Sequence, residues 1–157
     1  MHTNFLDVTR GAQNVIVFTG KSTGRVAMAR LLQGSDLLAE INNLAAQAGF
    51  KAAKVQFIGA VRKAVIQVLD QAKKEYVTYN LEGPLEIVSG SGNVSLKDGK
   101  PFAHVHVALA GLDGKCVGGH VAPGTEVYLT ELALVELMMD KPLERKMDKE
   151  LGLAIWQ

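Results

Sequence analysis

The stretch LEIVSGSGNVSLKDGKPFAHVHVALAGLDGKCVGGH, residues 85–120, decides the fold. Two Asp-Gly pairs, Asp98-Gly99 and Asp113-Gly114, separate three runs rich in Val, Leu and Ala. Asp-Gly between apolar runs is a strong hairpin signal, because both residues tolerate the positive φ of a tight turn. The runs therefore read as consecutive antiparallel strands. Residues two apart on a strand share a face, so His104 and His106 project together while Val105 and Val107 turn the other way.

Working outward, the chemistry stays that of strands. EYVTYNL (75–81) carries the Tyr, Val and Thr that suit a pleated, half-buried surface, and AAKVQFIGAV (52–61) and AVIQVLD (64–70) are short apolar runs. SGSG (89–92) reads as a glycine-rich bend between strands. It is no nucleophile elbow, because Ser89 stands where that motif needs glycine two residues before Ser91. One segment is helical: Ser35 is a good N-cap, Leu38, Ile41, Ala45 and Ala48 recur at helical spacing, and Gly49 suits the residue that ends a helix. The expectation is an α+β domain, a mainly antiparallel β-sheet packed against one principal α-helix over 35–48. RVAMARLL (25–32) fits strand or helix. TEVYLTELALVELMMD (125–140) is likewise open by pattern, its Leu, Glu and Met favouring helix.

Composition narrows the function classes. A chain of 157 residues suits a single domain that buries about 70% of its unfolded surface. Lys and Arg number 17 against 16 acidic residues, and the longest basic clusters are pairs such as Lys73-Lys74 and Arg145-Lys146. Non-specific duplex binding depends on a basic patch that neutralises several phosphates, so a nucleic-acid partner has weak support. The start MHTNFLDVTRG has no basic n-region followed by an apolar stretch, and no apolar run approaches the roughly 18 residues of a membrane span. With one cysteine, Cys116, no internal disulfide forms, and a cytoplasmic, reducing location is expected. GKST (20–23) resembles the end of a phosphate-binding loop. Val15 occupies the place of that loop's first glycine, so the segment reads as a polar turn and no nucleotide cofactor is expected.

Three of the 4 histidines crowd into residues 104–120. His120 follows the second Asp-Gly turn, so the chain can return it to His104 and His106, and Gly118-Gly119 clear side chains just before it. Three neutral imidazoles with one open position form a catalytic-type zinc centre, although nickel, iron or copper accept the same ligands. The plainer alternative is a set of histidines that hydrogen-bond to their neighbours and pin a loop. Glu86 is the candidate general base and Glu82 a second carboxylate near the glycine-rich bend. Cys116 is a candidate fourth ligand, more in keeping with a small packed residue. His2, at the N-terminus, reads as a bystander.

The series Gly34-Ser35-Asp36-Leu37, Gly59-Ala60-Val61, Glu86-Ile87, Gly92-Asn93-Val94-Ser95, Pro101-x-x-His104-x-His106, Asp113-Gly114, Gly118-Gly119-His120 and Arg145-x-x-Asp148 ahead of Gly152-Leu153 resembles the plants-and-prokaryotes conserved domain, the module that accompanies AT-hooks in plant nuclear proteins. The resemblance covers roughly residues 24–156, which leaves 1–23 as an unassigned N-terminal extension before a domain over 24–157. It implies an α+β domain that assembles as a homotrimer, and it implies that 125–140 is a late strand against its propensity. The family's DNA-binding association rests in plants on Arg-Gly-Arg-Pro AT-hook cores, which this sequence lacks. Two functions follow as expectations. One is a trimeric protein binding zinc, or a small ligand, through His104, His106 and His120. The other is a non-enzymatic oligomerisation or regulatory module with protein or DNA partners.

Overall fold

The computed structural model describes residues 18–157. Eight strands and one helix follow in the order β1 (Gly20–Leu31), α1 (Leu37–Ala48), β2 (Ala53–Asp70), β3 (Glu75–Lys97), β4 (Lys100–Ala110), β5 (Cys116–Val121), β6 (Glu126–Met139), β7 (Arg145–Asp148) and β8 (Leu153–Trp156). Six strands form an antiparallel sheet in the order β1-β6-β2-β3-β4-β5, and β7 with β8 makes a separate hairpin. This is the α+β architecture expected from the sequence. His2 lies outside the described residues.

The ambiguous segment 125–140 is strand. As β6 it sits between β1 and β2, so both edges of its backbone are hydrogen-bonded. Its Val127, Leu132 and Leu134 enter the core. Pairing and burial on this scale override a helical preference of a few tenths of a kcal/mol per residue. RVAMARLL is strand too, within β1 as far as Leu31, and GKST belongs to the same strand rather than to a turn. Gly20 and Thr23 find partners in Met139 and Leu137, which a turn would leave unpaired.

Four expected short strands are two long ones. Residues 52–61 and 64–70 join in β2, and 75–81 and 85–96 join in β3, through register shifts that bend the strands without ending them. SGSG is therefore not a bend between strands but the interior of β3. The Phe57 ring lies so close to Gly90 that a Cβ there would fall 2.0 Å from the ring, so the glycine makes room for an aromatic core residue. The β3–β4 connection is the expected tight turn, with Asp98 at φ 53° and Gly99 at φ 72°. The second Asp-Gly pair lies in a longer loop, where Gly114 alone takes a positive φ of 74°.

Helix α1 covers one face of the sheet. Leu37, Ile41 and Ala45 are fully buried against a core that includes Val55, Phe57, Val94, Val105, Leu109, Leu132 and Leu134. Each large aliphatic side chain in that core contributes about 1.5–3 kcal/mol of hydrophobic stabilisation. Gly49 at φ 71° closes the helix, its N–H and that of Phe50 donating to the carbonyls of Ala46 and Ala45. The N-cap is Asp36, not Ser35, whose hydroxyl instead donates to the Leu32 carbonyl. Asp36 does two things at once: Oδ1 accepts from the Ala39 N–H at 2.8 Å and Oδ2 from the Gly124 N–H at 2.6 Å. It so ties the start of the helix to the turn before β6. Asp36→Ala should cost about 1–3 kcal/mol in urea denaturation. Asp36→Asn, which keeps an acceptor for Ala39, should recover part of that loss.

Candidate metal centre

The three histidines meet because β5 folds back twice over. It pairs with β4, placing His120 opposite His106, and its end pairs with β2 through Ile66–Val121 and Gln67–His120. The ring β2-β3-β4-β5 thus closes on itself. His104 and His106 stand on the face of β4 away from the helix, while Ala103, Val105 and Val107 fill the core. Gly119, the residue before His120, comes so near the Gln67 carbonyl that a Cβ would lie 2.7 Å away. Only glycine lets β5 approach β2 this closely.

The imidazoles form a compact triangle. Ring centroids are 5.2 Å apart for His104–His106, 4.9 Å for His104–His120 and 5.4 Å for His106–His120. One ligand nitrogen from each lies within 4.8 Å of the others. Nε2 of His104 and Nε2 of His106 are 3.2 Å apart. A tetrahedral zinc with Zn–N bonds of about 2.0–2.1 Å requires neighbouring nitrogens about 3.3 Å apart, so this pair already has the right spacing. Nδ1 of His120 is buried and has no hydrogen-bond partner among the described residues. A buried imidazole nitrogen left unpaired is costly unless a ligand completes it. The donor set fits a divalent transition metal.

The surroundings favour the neutral form of His104 and His120. Burial, then the Arg145 guanidinium, then the other two imidazoles, push His104 down to about 4. Burial first, then His106 and Arg145, lower His120 as well. Neutral imidazole is the form that ligates a metal. Tyr76 stacks on His120 with centroids 5.6 Å apart and an interplanar angle of 30°.

The other expected participants lie elsewhere. Glu86 is exposed on β3 opposite Ala110, four residues along β4 from His106, roughly 13 Å at the rise of a strand. Glu82 is exposed opposite Lys63. Cys116 is exposed at the start of β5, outside the histidine group, so it is not the packed residue its type suggested. Its strand begins at the rim of the sheet, where the side chain has little to pack against. Tyr76, Lys97 and Phe102 are neighbours that sequence reasoning missed, and Arg145, quoted there only within the resemblance series, had no role assigned. Beyond the resemblance series, the signal was alternation: Asn93 and Ser95, on the same face as His104, both bond to the Arg145 guanidinium. Nothing local in the sequence says that β7 folds over that face.

The family model described as the Plants and Prokaryotes Conserved (PCC) domain matches residues 18–138. A metal-containing protein from Archaeoglobus fulgidus is 44% identical, with 91% of this chain and 99% of that one covered and a TM-score of 0.85. A plant- and prokaryote-conserved protein from Pyrococcus horikoshii is 39% identical, with coverage of 90% and 97% and a TM-score of 0.84. The bifunctional protein GlmU of Synechococcus sp. (strain JA-3-3Ab) is 32% identical over 129 residues, which are 82% of this chain and 20% of that protein. The chain thus spans about a fifth of the length of the curated relatives it matches.

The lowered basicity of His104 and His120 has a consequence for stability. An unfolded histidine takes up its proton near pH 6.5, whereas His104 in the fold does so only near pH 4. Between these values the unfolded chain binds more protons, so stability falls as pH drops through this window and levels off, for His104, below it. Metal-free protein should therefore show a falling thermal midpoint from pH 7.5 to 4.5. His104→Gln should flatten that slope, and a wild-type midpoint unchanged across the window would contradict the neutral-imidazole assignment.

Proposed function

This chain belongs to the Plants and Prokaryotes Conserved (PCC) domain family, and on that premise we propose that it is a trimeric protein whose subunits each hold one divalent transition metal on His104, His106 and His120. The observation that carries this reading is the convergence of three imidazoles on two paired strands, with one buried nitrogen still lacking a partner. Three neutral nitrogen ligands and an open fourth position are the set that zinc takes in catalytic sites, so zinc is the first candidate. A metal there supplies Lewis acidity, polarising a carbonyl or lowering the pKa of a bound water to about 7. The chain's own contribution is placement. The β4 and β5 backbones fix where the rings stand, Tyr76 supports His120 from the side, and the β7–β8 hairpin walls the space beside His104 and His120, while His106 stays exposed. The metal-containing relative from Archaeoglobus fulgidus supports the same reading.

The trimer rests on the family and on the face the helix leaves uncovered. Directly opposed residues of an antiparallel pair share a face, which gives the row His120, His106, Ser91, Gln56, Ala133, Met28 across the sheet. The neighbouring row runs His104, Asn93, Lys54, Val135, Val26. At the far end of these rows Met28 is 74% exposed and Val26 61%, and Ile58 on the same face is 54% exposed. Large apolar side chains gathered on one sheet face mark an association surface. The histidines thus stand at one end of the face that the subunits share.

Two measurements test this function. Elemental analysis of protein purified without a polyhistidine tag should find close to one transition metal per chain. Alanine at His104, His106 or His120 should lower affinity at least roughly tenfold, and wild type free of stoichiometric metal under non-chelating conditions would sink the metal reading. Light scattering should give three times the 16.8 kDa chain mass. Met28→Asp combined with Ile58→Asp should shift the mass toward the monomer, and a monomeric wild type would remove the trimer.

A further inference from the structure

Beside the imidazoles lies a cavity of about 280 Å³, walled by Tyr76, Phe102, His104 and His120 on the sheet side and by Arg145, Leu153 and Ile155 of the β7–β8 hairpin, with Lys97 at its edge. Arg145 is the residue in this cavity that the histidine site leaves unexplained. It is only 8% exposed. Its Nε donates to Ser95 Oγ at 3.1 Å, Nη1 to the Ala154 carbonyl at 3.0 Å and Nη2 to Asn93 Oδ1 at 3.0 Å. All three acceptors are neutral. A guanidinium has five N–H groups, so two are left over, and its positive charge meets the rings of Phe102 and Trp156 but no counter-ion among the described residues. Neither Arg145 nor Lys97 takes part in any ion pair found among the described residues, and no carboxylate lines the cavity.

Burying a cation without a counter-charge is unfavourable, and natural folds rarely leave one so. The strain shows in the guanidinium itself, which burial makes less basic than an ordinary arginine. Removing the positive charge would be simpler than keeping it, unless an anion from outside completes the site. The walls select among anions. The Phe102 ring has Lys97 Nζ 5.0 Å above its centroid and the Arg145 Cζ at 5.9 Å, and Leu153, Ile155 and Tyr76 add further apolar surface. A bare hydrated ion would leave those walls wet. An acid with a flat apolar body buries them while its charge meets the fork of Arg145, whose planar geometry matches a carboxylate. The volume suits a small molecule.

We propose that this cavity binds a small organic carboxylate with an aromatic or apolar body, its charged end held by Arg145 and Lys97 and its body by Phe102, Tyr76 and Ile155. The proposal stands on the unpaired guanidinium and the cavity walls, and is independent of a metal on the histidines.

Trp156, the only tryptophan of the chain, lies 5.2 Å from the Arg145 Cζ and reports on the site by its fluorescence. The full chain, stripped of metal with a chelator, is titrated with benzoate, with its neutral counterpart benzamide and with inorganic phosphate. Benzoate should give a saturable change, with benzamide and phosphate at least tenfold weaker. Lys97→Gln should weaken benzoate several-fold at an unchanged thermal midpoint, and Arg145→Lys, which keeps the charge but loses the fork, should weaken it at least tenfold. Benzamide binding as tightly as benzoate would show that the charge is not read, and phosphate binding as tightly would show that the apolar walls are not used. Either result overturns the proposal, as does the absence of saturable benzoate binding or wild-type affinity in both variants. Because the titration uses metal-free protein, a failed metal analysis and a failed benzoate titration are separate results.

Discussion

The return of β5 onto β2 is the contact on which the rest of the site depends. The pairings Ile66–Val121 and Gln67–His120 close the ring of β2, β3, β4 and β5, and the close approach of Gly119 to the Gln67 carbonyl leaves no room for a side chain there. Without that closure β5 would be an edge strand, free to splay from β4 and carry His120 away from its two partners. With it, His120 is held by strands on both sides, and the triangle of imidazoles is as rigid as the sheet. The same closure buries Val121 in the core beside Ile66, so the residue next to His120 is an anchor for the fold. Site and core are thus stabilised by one contact.

The two faces of the sheet divide the work. One face is sealed by α1 and holds the aliphatic core. The other carries the histidine rows, the exposed apolar side chains of β1 and β2, and the β7–β8 hairpin as a partial lid. The lid is fastened by polar contacts, Arg145 to Ser95, Asn93 and the Ala154 carbonyl, and Trp156 Nε1 to Ser95 Oγ at 3.2 Å. Burial first, and then the guanidinium beside it, lower the affinity of His104 for protons, so the residue that fastens the lid helps to keep the ring neutral. Fixing a buried charge next to neutral imidazoles costs stability, and such local costs gather at sites that meet a ligand.

Most of the fold was legible, and the errors share a cause. Asp98-Gly99 announced its hairpin, and the spacing of Ile41 and Ala45 announced the helix, because turn chemistry and helical period are local properties. Strand ends were harder. β2 and β3 read as four short strands because Arg62-Lys63 and Glu82-Gly83-Pro84 interrupt their apolar runs. In the fold the two breaks face each other, Lys63 opposite Glu82, and Gly83 lies so near the Arg62 carbonyl that a Cβ would have no room, which is a property of the partner and not of the segment. Ser35 was the cap expected from the sequence. Asp36 takes the role because Gly124, 88 residues away, uses its second oxygen.

The sequence by itself determined the class of the domain, the shared face of His104 and His106, and the presence of a third histidine after a turn. These follow from the two-residue period of a strand and from the dihedral freedom of Asp-Gly, which no distant contact has to supply. Only the tertiary structure decided that His120 closes the triangle, that Glu86 and Cys116 stand outside it, and that Arg145 supplies the charge beside it. Those outcomes depend on which edges pair and which hairpin folds over which face. Such pairings join residues as far apart as Gly20 and Met139, through backbone hydrogen bonds that every residue except proline can donate, so side-chain identity along the chain does not by itself select among them.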